Sequence, residues 1–305
     1  MIYNYNSKLH KFKDIHDETG KQLKEFTFKY YDCFCGCADY EVVSTATRHK
    51  NHFNVVRCAN CCTLRINPYM SEESVADYYK TVYGPVKRKN IEPKALYKRQ
   101  KQSSPELFKN LSTFCKAGDA ILDYGSGAGG RLDEFKNSNY SNLNIFDYDK
   151  NYLEFGIESG FKKHDPKNKY KLIILSHVIE HINDPVTALK DLAKNLASDG
   201  YIYLEVPMYE NTQHLLGDFH LGHKFYFTNM SLNYLGNISG LEKVAEFHNA
   251  ILFKAATSKK INFSSKEANR LWRQRKRIAI KLELWRKPRK YLKHKLLATK
   301  RLVQK

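Results

Sequence analysis

Asp123 stands two residues ahead of Gly125, and Gly127, Gly129 and Gly130 follow at once in the stretch AILDYGSGAGG, Ala120 to Gly130. Glycines in such a turn let the backbone reverse sharply and let a small ligand approach where a Cβ would clash. A carboxylate beside them suits a ligand with a cationic ammonium better than a pyrophosphate, which wants backbone N–H groups and positive potential. Gly125, Gly127 and Gly130 also meet the dinucleotide spacing G-x-G-x-x-G, so the glycines alone leave a nicotinamide cofactor open. Asp147 lies 20 residues beyond Gly127. There an acid can accept both hydroxyls of a ribose.

Two further groups carry chemistry. Cys58 and Cys61 form a CxxC knuckle, and Cys33, Cys35 and Cys37 offer a second cysteine pair. Two knuckles can place four thiolates around one tetrahedral zinc, and four thiolates leave no open position for substrate, so the role would be structural. The expected ligands are Cys33, Cys35, Cys58 and Cys61, with Cys37 as substitute for Cys33. Buried thiols without metal are the plainer reading, and Cys62 sits where a glycine would be usual. The second group is histidine: His223 first, then His220, then His214, all in a His- and aromatic-rich loop from Met208 to Met230. A histidine titrating near neutrality can take the proton of an attacking hydroxyl; a loop-orienting role is the alternative. Glu180 and His181 invite an acid and base reading, or simply fix the loop that holds them.

These residues need a scaffold of alternating strands and helices. Ala120 to Asp123 reads as a strand entering the glycine turn, and a helix begins between Arg131 and Phe135. Leu143 to Phe146 is a second strand; Asp149, the fallback ribose ligand, caps the next helix. Phe161 to His164 is a third strand, with Asp165 after it, and Leu172 to Leu175 a fourth, running into Ser176 and His177. Pro185, with Asp184 as N-cap, starts a helix with Ala188, Leu189, Leu192 and Leu196 on its apolar face, and Asp199-Gly200 stops it. Tyr201 to Val206 is the fifth strand, and Leu241 to His248 with Ile251 to Ala256 a terminal hairpin turning at Asn249. Gly84 to Pro105 reads as a basic linker leading into a helix from Pro105 to Cys115.

The acid followed by G-x-G-x-G at Asp123, Gly125, Gly127 and Gly129 resembles the first motif of the class I S-adenosylmethionine-dependent methyltransferases. The cysteine module ahead of it resembles the bacterial subfamily with an N-terminal zinc-binding domain, many of which act on sugar nucleotides or glycans, including the sugar C-methyltransferases. The resemblance runs from Tyr31 to Ala256 and extends to the V-I-E-H-I-x-D-P joint after strand four and to HLGHKFYFTNMSL, whose histidine is His223. Gly222 replaces the acid that often precedes that histidine, which weakens an analogy with proton removal next to a carbonyl. The resemblance implies a Rossmann-like, mostly parallel seven-stranded sheet with an antiparallel last strand, a small zinc-ribbon-like module and C-terminal basic helices. It makes Asp123 and the glycines cofactor ligands and Asp147 the ribose ligand. Ser176 and His177 would flank the methionine portion of the cofactor, and the acceptor would be a small molecule or glycan. In the RINPYMSEESVADYYKTVYG segment it implies a helix packing the module onto the main domain. There Tyr78, Tyr79 and Tyr83 either wall the cofactor pocket or pack the interface.

The expected division is an extension over 1–30, the zinc module and connecting helix over 31–84, the methyltransferase domain over 85–257 and a basic tail over 258–305. A hairpin near Thr19 and Gly20 is plausible in the extension. The chain of 305 residues carries a net +19, and from Arg270 to Lys305 it has 15 Lys and Arg against one acid, Glu283. The body is thus only mildly basic, and no DNA partner is expected. Leu271, Ile278, Leu282 and Trp285 recur at helical spacing, and past Pro288 so do Leu292, Leu296 and Leu297. A basic helix with such a stripe suits an anionic membrane surface; a partner subunit or RNA is the alternative. Without a secretory signal at the N-terminus or an apolar run long enough to span a bilayer, the expected place is the cytoplasm. An oxidoreductase would need hydride-transfer residues such as Tyr-x-x-x-Lys, which are poorly placed here.

Overall fold

The computed structural model describes residues 26–44, 53–78, 91–209 and 219–256, with isolated positions between 263 and 273. The Thr19–Gly20 hairpin, Tyr79, Tyr83, His214 and nearly all of the basic tail lie outside the described residues. No helix among the described residues is long and apolar enough to cross a membrane.

In chain order the strands are β1 (Phe28–Lys29), β2 (Tyr40–Ser44), β3 (Val55–Cys58), β4 (Leu64–Ile66) and β5 (Tyr69–Met70), followed by helix α1 (Glu72–Tyr78). Helices α2 (Pro93–Lys101) and α3 (Ser104–Leu111) lead into β6 (Ile121–Tyr124), and α4 (Asp133–Asn137), β7 (Leu143–Phe146), α5 (Lys150–Glu158) and β8 (Lys162–Lys163) continue the alternation. Then come β9 (Tyr170–Ser176), α6 (Pro185–Ala193), β10 (Leu196–Glu205), β11 (Phe225–Tyr226), α7 (Asn229–Ile238), β12 (Leu241–Phe247) and β13 (Ala250–Ala255).

Seven strands form one sheet in the order β12-β13-β10-β9-β6-β7-β8. From β8 to β10 neighbours pair parallel, and β13 runs antiparallel to both β10 and β12. Parallel neighbours need crossovers, which the helices supply, and the sheet is therefore buried on both faces. Leu172, Ile173, Ile174 and Leu175 are fully buried, as a strand sandwiched between two layers requires. The strand order reverses between β6 and β9. Ligands bind α/β sheets at the carboxyl ends of the strands flanking such a point.

One core layer packs Leu189, Leu192, Leu232 and Leu235 against Ile173, Leu175, Ile202 and Phe253. Gly236 belongs to this contact, since a Cβ there would overlap the Phe253 ring. Gly236→Ala is expected to lower stability by about 1–3 kcal/mol through overpacking, measurable as a lower thermal midpoint.

Three expectations need correction. Gly84 to Pro105 is not all linker: α2 fills part of it, with Pro93 in the helix's first turn, where a missing N–H costs nothing. Asp199-Gly200 does not stop the preceding helix, which ends at Ala193; Leu196, expected on that helix, starts β10, and the pair sits inside it, where register against β9 shifts between Leu196 and Tyr201. The helix expected from Arg131 is a single 3-10 turn, Gly130–Leu132, before α4 takes over at Asp133. The expected third strand is present as β8, and the terminal hairpin as β12 and β13.

The cysteine module has its own sheet, ordered β11-β4-β3-β2. Its edge strand β11 comes from the histidine loop more than 150 residues later, pairing Phe225 with Arg65 and Tyr226 with Leu64. Tyr78 is buried edge-on against Phe26, in a core with Tyr209, Phe219 and Tyr226, so it packs the junction and does not wall a pocket. Lys224 is buried at the same seam under the ring of Tyr31, 3.9 Å from its centroid, and donates to the Asn183 carbonyl at 3.0 Å. Burial pulls its ammonium down to about 7.

Candidate functional site

β6 delivers Asp123 and then the glycine turn. Gly125, Gly127 and Gly129 have φ of 84°, 55° and 84°, a left-handed backbone that only glycine adopts freely. A Cβ on Gly130 would overlap the Tyr97 carbonyl oxygen, so α2 lies directly against the turn. Gln100 of α2 fastens it: Nε2 donates to the Ser126 carbonyl at 2.8 Å, and Oε1 accepts from Ala128 N at 3.2 Å. Asp147, at the end of β7, accepts from Gly127 N at 2.7 Å and from Asp149 N at 2.8 Å. Asp149 caps α5 through Asn151 N and Tyr152 N, as expected of it.

Asp123 is fully buried, and its Oδ2 has no hydrogen-bond partner among the described residues. Burial pushes its carboxyl up to about 7, with Asp147 and Glu205 adding repulsion against the attraction of Arg131. The Arg131 charge is already engaged, because Nη1 contacts Glu205 Oε2 at 2.7 Å. Ser176 also donates to Glu205 Oε2, at 2.6 Å, so its hydroxyl is occupied at the end of β9. His177 follows with φ of 56°, and Glu180 holds its imidazolium above the usual range against the burial that would lower it. The site is thus polar, and Asp123 keeps one buried oxygen without a donor among the described residues.

Beyond His177 the histidines gather. The ring of His223 lies 4.0 Å from that of His220 and 4.7 Å from that of His181. His220 is buried, and Tyr226 ties its segment by accepting from His220 N at 2.8 Å and donating to His220 O at 2.9 Å.

Residues 97–246 match the family model described as "Methyltransferase domain". The chain carries a class I methyltransferase domain. Comparison with curated proteins returned no match. Similar solved structures include magnesium protoporphyrin IX methyltransferase from Synechocystis PCC 6803 with bound SAH, 13% identical, with 62% of this chain and 100% of that one covered and a TM-score of 0.44. The CcbJ methyltransferase from Streptomyces caelestis is 10% identical, with coverage of 51% and 90% and a TM-score of 0.42. DesVI from Streptomyces venezuelae is 12% identical, with coverage of 61% and 99% and a TM-score of 0.38.

In this methyltransferase the cysteine module brings four thiols together. The Sγ atoms of Cys33, Cys35, Cys58 and Cys61 lie within 4.8 Å of one another, with Cys33 to Cys61 at 3.4 Å and Cys35 to Cys58 at 3.6 Å. A tetrahedral zinc with Zn–S near 2.3 Å needs sulfur separations of about 3.8 Å, so the donor set fits. Cys37 stands apart, its thiol directed to the Asp39 carbonyl at 3.6 Å. Cys62 has φ of 59°, the conformation expected of a glycine at that position.

Sequence reasoning placed Glu205 at the mouth of the site but missed Gln100, which fastens the glycine turn, and Arg131, which pairs with Glu205. Pro93 was the available signal for the helix carrying Gln100, read as a chain breaker when it marks a helix start.

Proposed function

We propose that Asp123, the glycine turn of Gly125, Gly127 and Gly129, Asp147, and the backbone at Ser176 and His177 hold S-adenosylmethionine. On this reading the acceptor is a sugar hydroxyl, or a sugar carbon, of a glycan or nucleotide-sugar. The observation that carries the cofactor assignment is the leftover oxygen of Asp123, a buried acceptor beside a glycine cradle with its nearest arginine already paired. An incoming ammonium satisfies it, whereas a pyrophosphate would be repelled. When bound, the cofactor supplies an electrophilic sulfonium methyl. The chain contributes orientation and proton transfer: Asp147 accepts ribose hydroxyls at the turn, and His223 or His220 receives the acceptor's hydroxyl proton. The sugar class rests on the resemblance of the cysteine module and of HLGHKFYFTNMSL to sugar-modifying relatives. The cysteine cluster holds a structural zinc, a reading supported by four converging thiols and the absence of an open position.

The test is calorimetric titration of zinc-replete protein with S-adenosylhomocysteine and, separately, with NAD. Saturable one-to-one binding of the first and none of the second is expected, followed by a screen of nucleotide-sugars for methyl gain by mass spectrometry. Preference for NAD would sink the cofactor assignment.

A further inference from the structure

Glu180 is the second buried carboxylate of this cleft and the harder one to account for. Its side chain is 1% exposed, and neither Oε1 nor Oε2 has a hydrogen-bond donor among the described residues. Burying an ionised carboxylate without donors costs several kcal/mol unless a cation compensates it. The groups nearest to it are histidines: His177 Nδ1 at 3.6 Å, whose charge it supports from one side, and His181 Nε2 at 3.8 Å on the other, both beyond hydrogen-bond distance.

The tautomer of His181 narrows the choice. Its Nδ1 lies 2.5 Å from the Gly222 carbonyl oxygen, which can only accept, so Nδ1 carries the proton and donates. In the neutral ring Nε2 then presents a lone pair toward Glu180, not an N–H. A carboxylate and an imidazole lone pair facing each other repel unless an electrophile lies between them. Their 3.8 Å separation is a gap that one ion bound at about 2.1 Å from each can fill. The backbone carbonyl on the other ring nitrogen is the outer-shell arrangement that orients metal-binding histidines. His223 completes the set, one of its ring nitrogens lying within 4.8 Å of the donor atoms of Glu180 and His181.

We propose that Glu180, His181 and His223 form a divalent-cation site, distinct from the cysteine cluster. One carboxylate and two imidazoles select a borderline ion such as Fe²⁺, Co²⁺, Ni²⁺ or Zn²⁺ over Mg²⁺ or Ca²⁺. Three protein ligands leave positions open, unlike the four thiolates of the module. Where the ion serves methyl transfer, the inference rests on the proposed function: an open position takes an acceptor oxygen and makes its hydroxyl more acidic. His223 is then a ligand, and the proton passes to His220, whose ring lies tilted against it with centroids 4.0 Å apart.

Titration with Co²⁺ of the full chain holding one zinc per chain by metal analysis, any second zinc having been removed, followed by visible absorption, tests the site without any cofactor. Cobalt bound by nitrogen and oxygen gives weak d–d bands without the strong near-ultraviolet band of a cobalt thiolate, so displacement at the cysteines is recognisable. One saturable nitrogen–oxygen site is expected, weakened about 100-fold or more in Glu180→Gln and in His181→Gln. S-adenosylhomocysteine titration of the same variants reports whether the cleft is still folded, and His223→Asn, on a half-buried side chain, is the substitute if Glu180→Gln does not fold. Absence of the d–d bands in the wild type, or unchanged cobalt affinity in folded Glu180→Gln or His223→Asn protein, overturns the proposal. Failure of S-adenosylhomocysteine to bind the wild type would strike the cofactor assignment instead and leave the cobalt result standing.

Discussion

Asp123→Asn is expected to be more stable than the wild type above pH 7 and to lose cofactor affinity by about two orders of magnitude. The stability part follows from burial. The Asp123 carboxyl is raised from 3.8 to about 7 because the charged form is desolvated. Its folded-state pKa is therefore above the unfolded one, and between about pH 4 and pH 7 the native state binds the proton that the unfolded chain releases. Stability from this group consequently falls as pH rises through that window and stays low above it. Three units at 1.36 kcal/mol each set the scale at about 4 kcal/mol, which Asn, with no charge to bury, does not lose. Urea midpoints of the two proteins should converge near pH 4 and diverge toward pH 8; parallel curves would mean that the carboxyl ionises freely. The affinity part follows from the same carboxylate. Removing the charged partner of a buried ion pair costs about 3 kcal/mol, a factor of about 100 in Kd. Wild-type affinity for S-adenosylhomocysteine should also strengthen as pH rises through 7, because only the ionised carboxylate pairs with the ammonium. An Asp123 that stabilises the empty protein and binds nothing would contradict both halves.

What was legible in the sequence is local. The turn after β6 announces itself because left-handed backbone demands glycine at Gly125, Gly127 and Gly129, and Asp149 and Asp184 mark helix starts because their side chains serve N–H groups two or three residues away. The parallel strands read clearly since burial on both faces leaves unbroken apolar runs such as Leu172 to Leu175. What was not legible is long-range. Nothing in Phe225 and Tyr226 says that they complete a sheet with Leu64 and Arg65, since two residues have no period to read. Gln100 is one polar residue in a helix whose surface is mostly Lys and Arg, and only Leu96 of that helix is buried. The choice between Cys33 and Cys37 was open because both stand two residues from Cys35. The Cys33–Cys37 turn points one thiol toward Cys61 and the other to Asp39, a difference that spacing alone does not show. Likewise Glu180 and His181 could be read as loop polar groups until His181 was found bonded to Gly222, forty-one positions away.

Cys58→Ser is expected to abolish stoichiometric zinc and unfold the cysteine module while sparing the cofactor turn. Cys58 ends β3 and is fully buried, with its thiol 3.6 Å from that of Cys35. Among the described residues the apolar content around the four thiols is slight, with Phe34, Tyr234 and Phe263 adding aromatic cover to the cysteines themselves. Such a cluster has little to hold it closed without metal. Structural zinc sites contribute about 10 kcal/mol or more of apparent folding free energy, far beyond what those rings supply. Four thiolates with sulfurs this close repel one another, so the four cannot all ionise side by side without a cation among them. The consequence reaches the acceptor side, because β11 pairs with β4 and carries the residues immediately after His223. The turn after β6 depends instead on Gln100 of α2 and on Asp147 at the end of β7. Metal analysis should therefore show zinc lost in Cys58→Ser and retained in Cys37→Ser, whose thiol stands outside the four. S-adenosylhomocysteine should still bind the Cys58 variant within a few-fold of wild type, with the methyl-acceptor KM raised much more. Equal loss of both would mean that the module and the sheet fold as one cooperative unit, and retained zinc in Cys58→Ser would remove the metal from the cluster altogether.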